Sequence, residues 1–111
     1  MQKNAESSEE IRIRVINARD LQTQRYKNNA GVYCNAQMSS KLLKQVCVLD
    51  MAGQTLLKTA MHKLNLSARA YDRILKVSRT IADLAASETI LPEHVAEAIT
   101  YRNLDRDGWG A

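Results

Sequence analysis

The sequence predicts an all-α protein folded as a single compact bundle of about five helices, and three observations carry that reading. Apolar residues recur at helical spacing in five successive stretches, most of them preceded by a residue able to cap a helix. Gly occurs four times, Pro once and Phe not at all, so helix breakers are scarce and strand formers are not enriched. A chain of 111 residues has room for one core, which at this size buries roughly 60 to 70% of the surface its unfolded form exposes.

The first helix starts after Ser7, which stands three residues before Glu10 in capping-box spacing. Ile11, Val15, Ala18, Gln22 and Tyr26 then fall on one stripe, carrying the helix to about Lys27, with the amide of Gln22 the odd member. Asn28 to Gly31 are turn residues, and residues 32–38 show no clean period, so they read as an irregular connector. Ser39 and Ser40 cap a short helix with Leu42, Leu43, Val46 and Leu49 on its inner side. Asp50 caps a third, marked by Leu56, Leu57, Ala60, Met61 and Leu64.

Ser67 opens the strongest helical segment of the chain, expected from Ala68 to about Ala86. Apolar and small residues from Ala70 to Ala85 cover about half its circumference, so more than one neighbour must pack on it. Arg69, Asp72, Arg73, Lys76, Arg79, Thr80 and Asp83 form the remaining strip, expected to face water or a partner. Residues 87–91 form a loop, and Pro92 with Glu93 starts a last helix carrying Val95, Ala98, Ile99 and Arg102 on one face. The expected organisation is a flexible segment at residues 1–7, a helical domain at 8–106 and a flexible tail at 107–111, in which Trp109 suits either an interface anchor or a ring folded back on its own domain.

Composition narrows the function. A formal charge of +4 would help contact with nucleic acid or nucleotide but is common on plain soluble domains. Cys34 and Cys47 stand thirteen positions apart without a Cys-x-x-Cys pair or histidines at zinc spacing, so they read as small apolar residues, and no metal site is expected. His62 and His94 read as surface or capping side chains. No secretory signal or membrane-length apolar run occurs, which points to the cytoplasm and to no membrane partner. A Gly-x-x-x-x-Gly-Lys-Ser/Thr phosphate cradle, a Gly-x-Gly-x-x-Gly turn, a His-Glu-x-x-His pair and a Gly-x-Ser-x-Gly elbow are all missing from these 111 residues, so no self-contained catalytic activity is expected.

Residues 66–84, Leu-Ser-Ala-Arg-Ala-Tyr-Asp-Arg-Ile-Leu-Lys-Val-Ser-Arg-Thr-Ile-Ala-Asp-Leu, followed by His94-Val-Ala-Glu-Ala-Ile-Thr-Tyr-Arg102, closely resemble the C-terminal domain of Mg-chelatase-related AAA+ ATPases of the ComM/YifB type. Ala18-Arg19, Gln22 and Arg25 fit the same pattern, and Ser78 departs from it where the family more usually has Ala. The resemblance implies a lid-like bundle whose ATP-binding core lies upstream. It implies that Arg69 is the sensor-2 arginine approaching the ATP phosphates, with Arg73 and Lys76 on the same strip as further cofactor-binding candidates. ATP with Mg²⁺ would be used by the full-length protein, with none bound to the isolated domain, and the whole would form a hexameric ring acting on DNA in branch migration or competence.

Residue chemistry fits that role. A guanidinium is permanently charged and presents a planar fork of donors to phosphate oxygens, and two residues after its cap Arg69 stands beside the positive end of the helix dipole. From periodicity alone an arginine on that strip is a solvated charge; only the motif makes it a candidate site. Arg19, Gln22 and Arg25, at three-residue spacing, suit a buried polar contact or an interdomain surface. The alternative function is a stand-alone helical module binding nucleic acid along the basic edge of the fourth helix, for which the chain offers no aromatic-basic stacking pattern.

Overall fold

A computed structural model describes the backbone of residues 7–108 and the side chains of residues 7–101. Residues 1–6, Trp109 and the side chain of Arg102 lie outside the described residues, and with them the expectations placed there. The chain forms α1 (Ser8–Tyr26), a 3₁₀ turn (Asn35–Gln37), α2 (Ser40–Val46), α3 (Met51–Leu64), α4 (Ala68–Leu84) and α5 (Pro92–Gly108), so the all-α, five-helix expectation holds. α5 continues through Asp107 and Gly108, two positions that the sequence reading assigns to the tail.

The helix starts follow the capping chemistry. At α1 the Ser7 Oγ accepts from the Glu10 N–H at 3.1 Å, while the Ser7 N–H donates to Glu10 Oε1 at 2.9 Å, a complete capping box. Ser39, Asp50 and Ser67 cap α2, α3 and α4 by accepting from the N–H groups of Leu42, Gly53 and Ala70. α3 ends on the left-handed Asn65. α4 ends in a Schellman arrangement in which Ser87 N–H donates to Ala82 O at 2.8 Å and Ala86 N–H to Asp83 O at 3.0 Å, with Ala86 at φ +56°.

α4 is the central rod, packed against α1, α2, the 3₁₀ turn and α5, while α3 packs on α5. The core joins Leu43, Leu57, Ile74, Leu75, Ile90 and Val95, all at most 4% exposed. Leu49 is buried as expected, but it lies beyond the end of α2 and forms an isolated parallel bridge with Ile90. That bridge joins the α2–α3 and α4–α5 connections and is the one β pairing among the described residues. Ser78 is fully buried, and its hydroxyl donates to Ile74 O at 2.7 Å, so a hydroxyl where Ala is usual costs no unpaired polar group.

Two expectations need correction. The stripe of α1 is buried only in its second half: Ala18 and Tyr26 are covered, but Ile11 is 44% and Val15 39% exposed, because the bundle does not extend beside the first turns. The strip of α4 does not all face outward either. Arg79 is 4% and Asp83 1% exposed, because α1 and the connector close over the last turns of α4 and bring their own polar groups with them.

Candidate functional site

Two polar features stand at opposite ends of α4. At the N-terminal end, Ser67 caps the helix and Arg69 follows in its first turn, exposed and with its side chain making no hydrogen bond or ion pair to any other described residue. Arg73 is also exposed and has an interaction of its own; its i,i+4 spacing puts the two Cβ atoms about 5–6 Å apart on the helix surface. Lys76, half-buried, turns to the connector, where its Nζ donates to Ala36 O at 3.3 Å. Of the three candidate residues, Arg69 and Arg73 therefore share the surface near the helix start, while Lys76 braces the fold.

Asp72, half-buried between them in sequence, accepts from Ser40 Oγ at 3.4 Å, a loose tie from the start of α2 to the start of α4. A groove of about 600 Å³ between α2, α3 and α4 reaches this end of the rod at Tyr71 and Asp72. Leu43, Cys47, Leu49 and Leu75 are among its lining residues, with Lys44 and Lys58.

At the other end a single carboxylate gathers the chain. Asp83 accepts from both terminal nitrogens of Arg25 at 2.8 and 2.9 Å, from Arg79 Nε at 3.1 Å and from Asn35 Nδ2 at 2.9 Å. Asn35 is itself saturated. Its N–H donates to Gln22 Oε1, its amide also donates to Thr80 Oγ1, and its Oδ1 accepts from the Tyr26 hydroxyl at 2.6 Å and from Arg25. Arg79 also donates from its two terminal nitrogens to Glu88 O at 3.0 Å and Ser87 O at 2.7 Å, the carbonyls that follow the left-handed Ala86.

Two guanidiniums face one carboxylate, so the cluster carries one excess positive charge in a buried setting. Burial pushes the Asp83 carboxyl up, but hydrogen bonds from Arg25 and Asn35 and the charges of Arg79 and Arg25 outweigh it and hold the group below the usual carboxylate range. Hydrogen bonding to Asp83 likewise holds the Arg25 guanidinium above its ordinary value despite burial. Burial raises the Tyr26 phenol and pushes the Cys47 thiol up to about 11, so neither is poised as a nucleophile. With all three guanidinium nitrogens of Arg79 and every site of Asn35 engaged, the cluster is an interior clamp rather than a reactive centre.

Of Arg19, Gln22 and Arg25, expected in a buried polar contact or an interdomain surface, Gln22 and Arg25 join the polar cluster while Arg19 is exposed. The sequence reading misses Arg79, Asp83 and Asn35. The available signal was the Arg79–Asp83 pair at i,i+4 beside a basic residue spare on α1. His94 is capping but not at the surface: it is 4% exposed, and its Nδ1 accepts from Leu91 N–H at 2.9 Å. His62 is exposed, and among the described residues no three His, Cys, Asp or Glu side chains gather as a metal site would require. No helix among them is long and apolar enough to cross a membrane.

Residues 5–102 match the family model described as "Magnesium chelatase, subunit ChlI C-terminal". The competence protein ComM of Haemophilus influenzae is 44% identical over 101 residues, which are 91% of this chain and 19% of that protein. The protein YifB of Escherichia coli is 39% identical over the same shares, and an uncharacterized protein of Mycobacterium tuberculosis is 34% identical over 89% of this chain and 20% of its own length. The chain thus spans about a fifth of the length of the curated relatives it matches. With a family model covering nearly all of its helices and relatives matching over nine-tenths of its length, the chain belongs to the magnesium chelatase subunit ChlI C-terminal family.

Proposed function

We propose that residues 8–106 act as the lid of an AAA+ ATPase, with Arg69 reaching the phosphates of ATP held by a core domain that this chain does not contain. The observation that carries this is the state of Arg69: exposed, in the first turn of α4, and unengaged by any described residue while Lys76, Arg79 and Arg25 are all tied into the fold. A fixed cation beside a positive helix end favours an anion by charge, and its donor fork matches phosphate oxygens. The lid needs to hold this group rigidly, and the Asp83 clamp at the far end of the same helix serves that need.

Arg73 shares the surface and widens the positive region; Lys76 supports the connector rather than the nucleotide. The full-length protein works as an ATP-driven ring on DNA in the cytoplasm, in keeping with the competence role in the name of its Haemophilus relative. The test is Arg69→Ala in the full-length protein. ATP turnover should fall at least tenfold with assembly intact, the scale of losing one charge-assisted phosphate contact, and unchanged turnover with intact assembly would refute the sensor role. Binding of nucleic acid by this chain alone is less well supported, since Arg79 and Lys76 are withdrawn from the basic edge it would use.

A further inference from the structure

The first half of α1 is apolar on two opposite sides. Ile11 and Val15 continue the stripe that buries Ala18 and Tyr26 further along, while Ile13 lies about 160° from both and Ile16 about 100–140° away around the helix at 100° per residue. All four fall within six residues and are exposed by 44, 39, 48 and 43% in that order. Single exposed apolar side chains are ordinary, but a helical segment apolar on both sides is one that neighbours surround. The bundle supplies no such neighbours, because its contacts with α1 begin near Ala18 and culminate in Gln22, Arg25 and Tyr26.

The relatives say what is available to cover it. About four-fifths of their length lies outside the match, and the family is described as the C-terminal part of its subunit, which puts the bulk of the remainder on the N-terminal side, the side of α1. A tethered partner acts at an effective concentration in the millimolar range, which favours it over a second copy of the chain. We infer that the first turns of α1, through Ile11, Ile13, Val15 and Ile16, are clasped on both sides by an apolar groove of the preceding part of the full-length polypeptide. α1 is then the mechanical link between that part and the Asp83 clamp. The inference rests on the reading of this chain as the C-terminal part of a longer ATPase.

Hydrogen–deuterium exchange tests it. A peptide covering residues 9–17 should exchange at least tenfold more slowly in the full-length protein, at a concentration where it is monomeric, than in the 111-residue chain. A peptide from residues 74–83 of α4 must exchange alike in both, as the control for intact folding. Equal exchange of residues 9–17 in the two proteins, or protection only where oligomers form, would overturn the proposal. In the full-length protein, Ile13→Gln with Ile16→Gln should restore the faster exchange, whereas Arg69→Ala should leave the protection in place. Loss of turnover on Arg69→Ala therefore reports the sensor role, and exchange at residues 9–17 reports the docking, so either can fail without the other.

Discussion

Replacing Asp83 by Ala removes the one anion that two arginines share. The variant loses four hydrogen bonds of 2.8 to 3.1 Å and leaves Arg79, whose side chain is 5% exposed, next to Arg25 with no carboxylate between them. Breaking a buried ion pair from one side costs about 3–5 kcal/mol, mostly the penalty of a stranded buried charge. For a domain of this size 1 kcal/mol shifts the melting temperature by about 4–8 °C, so a fall of roughly 12 °C or more is expected. Against a typical stability of about 5–15 kcal/mol, that loss is a large fraction of the whole. The assay is thermal and urea unfolding followed by far-ultraviolet circular dichroism. Arg79→Met should cost more than Arg25→Met, because Arg79 also holds the Ser87 and Glu88 carbonyls, while the Arg25 side chain is 21% exposed and can be replaced by water. A loss below about 1 kcal/mol for Asp83→Ala, the scale of an exposed pair, would refute the clamp as a main source of stability.

Because the folded Asp83 carboxyl titrates below its usual range, its contribution is fully present above about pH 4 and is lost as pH falls through the depressed value; the urea-midpoint gap between wild type and Asp83→Asn should therefore narrow in acid. Ala86→Gly should stabilise the chain by about 0.5–1 kcal/mol, since a left-handed Ala costs about 1–2 kcal/mol and Gly returns part of that as unfolded-chain entropy; an unchanged or lower melting temperature would contradict the φ of +56°. Cys47, buried and with its thiol pushed up to about 11, should be about one part in a thousand thiolate at pH 8 and should react with a thiol reagent only on unfolding, whereas half-buried Cys34 is labelled first.

Most of the architecture was legible in the sequence because it depends on local chemistry. Ser7, Ser39, Asp50 and Ser67 each cap the helix their position suggests, and Pro92 begins α5. What was not legible depends on which element covers which. Periodicity assigns Arg79 and Asp83 to the same strip as Arg69, and nothing local distinguishes the end of α4 that α1 and Asn35 close over from the end they leave open. In the same way Ile11 and Val15 share a stripe with Ala18, yet burial stops where the neighbouring helix does. Asn35 was hidden in a segment without a period, although its side chain is the most heavily shared amide in the cluster.

The Asp83 cluster also sets a mechanical tolerance. Arg69 precedes Asp83 by fourteen residues on a continuous helix, about 21 Å at 1.5 Å per residue, so a pivot of about 5° at the anchored end sweeps the tip through about 2 Å. A displacement of that size separates a made phosphate contact from a broken one. Slackness in the anchorage is thereby magnified into misalignment at the tip, and under the proposed sensor role a substitution buried at the far end of the rod would disarm the arginine without coming near it.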